Sequence, residues 1–62
     1  MENNIHALRM RQKLTQQELA DAVNVTRQTI NAIENNKYDP TLSLAFALAE
    51  CLETTVDQVF QH

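Results

Sequence analysis

Threonines that can cap helices divide this chain into short helical stretches, and this pattern leaves little room for another fold. Thr15-Gln16-Gln17-Glu18 is a capping box, in which the first and last side chains each bond the other residue's backbone N–H. Thr55-Val56-Asp57-Gln58 repeats the pattern. Thr26 and Thr41 each precede a run of apolar residues at helical spacing. With one more stretch before Thr15, the sequence predicts five helices and an all-α fold.

The apolar spacing and the caps together set the expected helix boundaries. We expect helix one over about Asn4 to Gln12, helix two from Thr15 to Asn24, helix three from Thr26 to Asn35, helix four from near Thr41 and helix five from Thr55. Helix four carries the most regular apolar stripe, formed by Leu42, Ala45, Leu48, Ala49 and Leu52. The chain has no glycine, so Asn24 and Asn36 stand where helices commonly end in a left-handed residue. We predict a positive φ at both.

The length and the single cysteine limit how this fold can be stabilised. Sixty-two residues are enough for one domain, 1–62, with a small core. Cys51 is alone and no Cys/His cluster has zinc-ligand spacing, so packing and self-association must hold the core. We expect no metal, no cofactor and no enzyme activity, because His6 and His62 lack a partnering acid or nucleophile at recognisable spacing.

Charge is distributed unevenly along the chain, whose formal net charge is -3. The five basic residues all precede residue 38: Arg9, Arg11, Lys13, Arg27 and Lys37. General basicity therefore cannot hold this protein on nucleic acid. No apolar run is long enough to span a membrane and the amino terminus does not resemble a signal peptide, so we expect no membrane association and a cytoplasmic location.

The two central helices have the arrangement of a helix-turn-helix, with a short turn around Asn24-Val25. The segments TQQELA (15–20), VNVTRQTI (23–30) and IENNKYDP (33–40) closely resemble the lambda and 434 repressor/Cro family, also called the XRE family, of bacterial and phage regulators. The resemblance runs from about Ile5 to Phe60. It implies a five-helix DNA-binding domain that usually acts as a dimer on double-stranded DNA.

The same resemblance implies roles for individual side chains. It assigns base-reading positions in the major groove to Thr26, Arg27, Gln28 and Asn31. It assigns contacts with the DNA backbone, or bracing of the recognition helix, to Thr15, Gln16, Gln17, Asn35, Lys37 and Tyr38. Arg can bond guanine bidentately, and Gln or Asn can bond adenine in the same way. From periodicity alone, Arg27 and Gln28 could also be an ordinary solvated helix face, and Gln16 and Gln17 could serve only as good helix formers.

An ion pair is the one structural contact that the resemblance implies. Arg9 and Glu34 align with an Arg and a Glu that form a partly buried pair between helices one and three in 434-like domains. We expect the same pair in this chain.

A small module with few basic residues binds DNA weakly, which favours a homodimer. Two copies would place their recognition helices ~34 Å apart on a palindromic operator. We expect the interface near the carboxy terminus, at Phe46, Val56, Val59 and Phe60. The leading hypothesis is a sequence-specific transcriptional regulator, most simply a repressor. The alternative is an antitoxin or anti-repressor whose main partner is a protein. The acidic second half of the chain keeps that alternative open, although it could also serve only solubility.

Overall fold

The described part of the chain, residues 2–60 of a computed structural model, consists of short helices. These are α1 (Ile5–Arg11), α2 (Gln16–Val23), α3 (Arg27–Glu34), α4 (Leu42–Cys51) and α5 (Val56–Val59). The only pairing of extended backbone over 2–60 is an isolated antiparallel bridge between Asn3 and Phe60. The all-α prediction is confirmed. His62 lies outside the described residues.

Threonine hydroxyls begin four of these helices, as the sequence predicts. Each accepts a hydrogen bond from the backbone N–H three residues later, at Thr15, Thr26, Thr41 and Thr55. The box at Thr15 is complete, because the Thr15 N–H also donates to Glu18 Oε1 at 2.9 Å. The second predicted box is only half formed: Thr55 caps the helix, but Gln58 Oε1 accepts from the Thr54 hydroxyl at 2.9 Å.

Four helices end in a left-handed residue although the chain contains no glycine. Asn24 has φ 66° and Asn36 has φ 61°, which confirms both predictions. Lys13 (φ 59°) and Glu53 (φ 57°) do the same at the ends of α1 and α4 and were not predicted. In each case the next residue donates its N–H to the carbonyl five residues earlier, at 2.9–3.0 Å. This bond satisfies a terminal carbonyl and offsets the cost of the left-handed conformation.

The core lies where all five helices meet. Its fully buried large side chains are Ile5, Leu19, Ile30, Ile33, Leu48 and Val59. The segments that precede α1 and end α5 meet beside it, because the Asn4 N–H donates to the Val59 carbonyl at 2.7 Å. Because Ile30 and Ile33 turn one face of α3 into this core, the opposite face of α3 is left open to solvent or to a partner.

Three predictions about buried and exposed apolar residues need correction. Leu42 was expected in the core stripe of α4 but is 70% exposed, because a side chain in the first turn of a helix leans beyond its amino-terminal end. Val59 and Phe60 were expected at a dimer interface but are 0% and 3% exposed. The pairing of the chain ends draws both into the core, so neither offers surface to a partner.

None of the helices in residues 2–60 has the length and apolar character needed to cross a membrane.

Candidate nucleic-acid interface

The turn between α2 and α3 sets the direction of the outward face of α3. Asn24 adopts the left-handed conformation, and the Val25 N–H then donates to the Ala20 carbonyl at 3.0 Å. Thr26 is extended and caps α3 through the Thr29 N–H at 3.1 Å. Because Ile30 and Ile33 fix the inner side of α3 in the core, the helix cannot rotate without losing that burial.

All four side chains predicted to contact bases are exposed on α3 or at its cap: Thr26, Arg27, Gln28 and Asn31. Arg27 and Gln28 make no hydrogen bond or ion pair with the described residues, so their donors remain available. The Thr26 oxygen already caps the helix and lies 3.0 Å from the Thr29 hydroxyl. Asn31 Oδ1 accepts from Asn35 Nδ2 at 3.1 Å, which leaves the Asn31 amide nitrogen free.

Arg9 and Glu34 join α1 to the end of α3, as the predicted pair requires. Arg9 Nε donates to Glu34 Oε2 at 2.8 Å, and Arg9 Nη2 donates to Oε1 at 3.3 Å. Both side chains are nearly buried, at 8% and 7% exposure. Arg9 Nη1 also donates to the Leu14 carbonyl at 2.9 Å, so the guanidinium fixes the α1–α2 turn as well.

His6 was not expected to take part in any site, yet it lies against this pair. Its Nδ1 is 3.0 Å from Arg9 Nη2 and 3.6 Å from Glu34 Oε1. The imidazole is largely exposed. A sequence separation of three residues between His6 and Arg9 on one helix is the signal that could have indicated this contact.

Gln16 and Gln17, predicted at the DNA backbone, have different partners. Gln16 Nε2 donates to Glu34 Oε1 at 3.3 Å and so links the start of α2 to the end of α3. Gln17 Nε2 donates to Asp21 Oδ1 at 2.8 Å, one turn along α2. Only Gln16 therefore braces the candidate recognition helix directly. Thr15, the third predicted residue at this end, is engaged in the capping box.

An open groove beside these residues brings together the first turn of α2 and the start of α3. We call it the α1–α2 groove. Its lining comprises Arg9, Met10, Lys13, Leu14, Thr15, Gln16, Gln17 and Arg27. The lining contains basic but no acidic side chains, which suits an anion. Lys13 and Met10 were missed from the sequence, because their place in this groove depends on how α1 packs beside α2 and α3.

The remaining residues predicted at the DNA backbone follow the other end of α3. Asn35, Lys37 and Tyr38 are all exposed. The Lys37 N–H donates to the Ala32 carbonyl at 2.9 Å, which closes the helix end. Asn3 supports the same loop, because its Nδ2 donates to the Ile33 carbonyl at 2.7 Å.

A second open groove lies between α4 and α5. Phe46, which is 58% exposed, and the half-buried Val56 contribute to it, together with Ala49, Glu50, Thr54, Thr55 and Asp57. These two apolar side chains are the members of the predicted interface that remain accessible. Within residues 2–60, no group of His, Cys, Asp and Glu side chains is arranged to hold a metal ion. Cys51 is a half-buried free thiol.

Comparisons with known proteins agree with this geometry. A family model described as Helix-turn-helix matches residues 5–59. The uncharacterized HTH-type transcriptional regulator MJ0272 of Methanocaldococcus jannaschii is 43% identical over 60 residues, which cover 97% of this chain and 91% of that protein. The uncharacterized HTH-type transcriptional regulator YgzD of Bacillus subtilis is 38% identical over 60 residues, with the same coverage of 97% and 91%.

A solved structure shows the same similarity in three dimensions. The P22 c2 repressor, solved in complex with a synthetic operator, superposes with a TM-score of 0.89 at 26% identity, over 94% of this chain and 88% of that chain. The matched region includes the capped α2, the left-handed turn and the polar α3. The chain therefore belongs to the lambda/434 repressor and Cro-like family of helix-turn-helix transcriptional regulators.

Proposed function

We propose that this protein is a sequence-specific double-stranded DNA-binding regulator that inserts α3 into the major groove. The observation that carries the proposal is the free donor set at the start of α3, where Arg27 and Gln28 are exposed and unpartnered among the described residues. Arg27 also lines the α1–α2 groove with Lys13, so base-reading and phosphate-binding groups are adjacent. The operator complex of the P22 c2 repressor supports the same use of the fold.

We further propose that the protein acts in the cytoplasm as a homodimeric repressor on a palindromic operator. A single copy offers few basic side chains, so two copies are needed for tight binding at physiological salt. Phe46 and Val56 are the candidate contacts between copies, since both are accessible in the α4–α5 groove. Repression then follows from occupancy of the operator, and a protein partner that competes for this groove would regulate it.

Selection of binding sites from random duplex DNA tests the proposal. The wild-type chain should enrich a motif with two-fold symmetry, and the double variant Arg27→Ala/Gln28→Ala should lose that motif while keeping its helical content. Lys37→Ala is the matched control, since a backbone contact should weaken all sequences alike. Failure to enrich a motif, or an identical motif from the double variant, would contradict the proposal.

A second candidate function is that of an antitoxin or anti-repressor on the same fold. The observation that favours it is the exposed apolar surface on α4, where Leu42 is 70% and Phe46 is 58% exposed. No Lys or Arg follows residue 37, so this half of the chain is acidic. A protein of this kind should bind its protein partner equally well after Arg27→Ala/Gln28→Ala, and should enrich no DNA motif.

A further inference from the structure

The Glu34 carboxylate connects the end of α3 to the start of α2 through Gln16. Its Oε1 atom accepts from Gln16 Nε2 and from Arg9 Nη2, both at 3.3 Å, while Oε2 accepts from Arg9 Nε at 2.8 Å. The Glu34 side chain is only 7% exposed. Its hydrogen-bond partners are therefore protein groups rather than water, and their geometry is set by the packing of three helices.

This arrangement determines which way the Gln16 amide faces. An ionised carboxylate can only accept hydrogen bonds, so the Gln16 atom beside Glu34 must be the amide nitrogen. A flipped amide would set its carbonyl oxygen against the carboxylate oxygen. The nitrogen carries two hydrogens, and Glu34 takes one of them. The second makes no hydrogen bond with the described residues.

Gln16 also lines the α1–α2 groove, where the charged side chains are basic. A DNA phosphate is an acceptor of hydrogen bonds, so it gains only from the nitrogen side of an amide. A glutamine free to rotate would present its oxygen part of the time and would lose side-chain entropy on binding. An amide held by Glu34 avoids both costs.

We propose that Glu34 is a positioning residue for DNA binding: it holds the Gln16 amide so that a free N–H faces a backbone phosphate. This inference rests on the proposed DNA-binding function. Arg9 alone already supplies Glu34 with an ion pair, so the bond to Gln16 is an addition that the pair does not require. Through it, the end of the recognition helix controls a donor at the start of α2.

Neighbouring Gln17 provides a matched comparison. It has the same side chain and lines the same groove, but its amide donates to Asp21 instead of Glu34. Any effect that depends on Glu34 should therefore involve Gln16 and spare Gln17.

The test uses the selected operator with single phosphates replaced by uncharged methylphosphonates, one at a time. At one phosphate in each half-site the wild-type protein should lose about tenfold or more in affinity, the scale of one hydrogen bond to a charged group. Gln16→Ala should weaken binding by a similar factor and should no longer respond to that replacement. Gln17→Ala should respond as the wild type does.

Glu34→Asp completes the test because it keeps the charge opposite Arg9 while withdrawing the carboxylate from Gln16. It should lose the response at the same phosphate, and combining it with Gln16→Ala should weaken binding no further than Gln16→Ala alone. Urea titrations define conditions in which every variant is folded.

If Glu34→Asp does not fold, NMR of the wild type replaces it. On addition of DNA, the Gln16 side-chain amide proton that faces the phosphate should shift strongly, while the proton bonded to Glu34 should stay near its position in the free protein. A Glu34→Asp variant that responds like the wild type, losses that multiply in the double variant, or Gln16 protons that shift equally would overturn the inference. The proposed function would survive all three results, because it fails only if the wild type selects no operator or if Arg27→Ala/Gln28→Ala selects the identical motif.

Discussion

Arg9 and Glu34 are charged side chains that folding removes from water. Their contribution to stability depends on each having the other as its partner. The pair is bidentate, with distances of 2.8 and 3.3 Å. Taking a carboxylate or guanidinium out of water is costly, so a single remaining charge at this place would be strongly unfavourable. Any movement that separates α1 from α3 would leave a buried charge without its partner, so the pair keeps these two helices in one arrangement.

Replacement of Glu34 alone tests how much the Arg9–Glu34 pair contributes to stability. Glu34→Ala should lower the free energy of unfolding by about 3 kcal/mol or more, because the buried Arg9 charge loses its partner. Urea denaturation followed by circular dichroism measures the change. Glu50→Ala is the control, since Glu50 is exposed on α4 and should change stability little. Equal losses in the two variants would show that the pair contributes nothing special.

At the scale of helices, the starts and ends of the elements follow from local chemistry to different degrees. A threonine cap needs only the backbone that follows it, so the starts of α2 to α5 could be predicted from the sequence. Left-handed ends could be predicted at Asn24 and Asn36, because asparagine tolerates that conformation. Lys13 and Glu53 adopt it without any signal in their residue type, so neither could be predicted in this way.

A pair of glycine substitutions tests the left-handed end of α4. Glu53→Gly should raise the free energy of unfolding by about 0.5–1 kcal/mol, because glycine relieves the strain of a positive φ. Glu50→Gly removes the same charge from inside the helix and should lower stability by about 0.5–1 kcal/mol. Thermal or urea unfolding of the two variants measures this difference in sign. If Glu53→Gly and Glu50→Gly both lower the free energy of unfolding, the backbone at Glu53 is not strained and the prediction is wrong.

In the candidate site, too, only the features that depend on local sequence could be predicted. Exposure of Gln28 could be predicted, because helical periodicity places it opposite Ile30 and Ile33, and Arg27 falls beside that outer face in the first turn of α3. The bond between Gln16 and Glu34 joins residues 18 positions apart. It depends on how α2 crosses α3, which no local pattern encodes. Burial of Val59 and Phe60 likewise depends on the meeting of the two chain ends.

In the whole molecule, the charged side chains that line the two open grooves are of opposite sign. The α1–α2 groove carries Lys13 and Arg27, whereas the α4–α5 groove carries Glu50 and Asp57 beside exposed Phe46. We propose that the first faces DNA and the second faces another copy of the chain. Because the second groove is acidic, salt should strengthen association between copies while it weakens contacts with phosphates.

Phe46 provides the test of that division. Phe46→Ala should leave the free energy of unfolding within about 0.5 kcal/mol of the wild-type value, because an exposed side chain contributes little to the core. It should nevertheless shift the protein from dimer to monomer in sedimentation velocity and weaken operator binding. Leu42→Ala removes a similarly exposed side chain outside the groove and should leave the dimer intact. A wild-type protein that is monomeric at micromolar concentration, or a dimer unaffected by Phe46→Ala, would contradict this interface.

We propose that the first turn of α3 reads bases, and affinity measurements on single base-pair variants of the selected operator distinguish base reading from backbone contact. Each operator variant is measured with the wild type, Arg27→Ala, Gln28→Ala and Lys37→Ala at one salt concentration. We predict that Arg27→Ala and Gln28→Ala each abolish discrimination at one base pair in the half-site, worth about 1–3 kcal/mol, while Lys37→Ala weakens every sequence equally. Uniform weakening by Arg27→Ala and Gln28→Ala, with discrimination unchanged at every base pair, would contradict the claim.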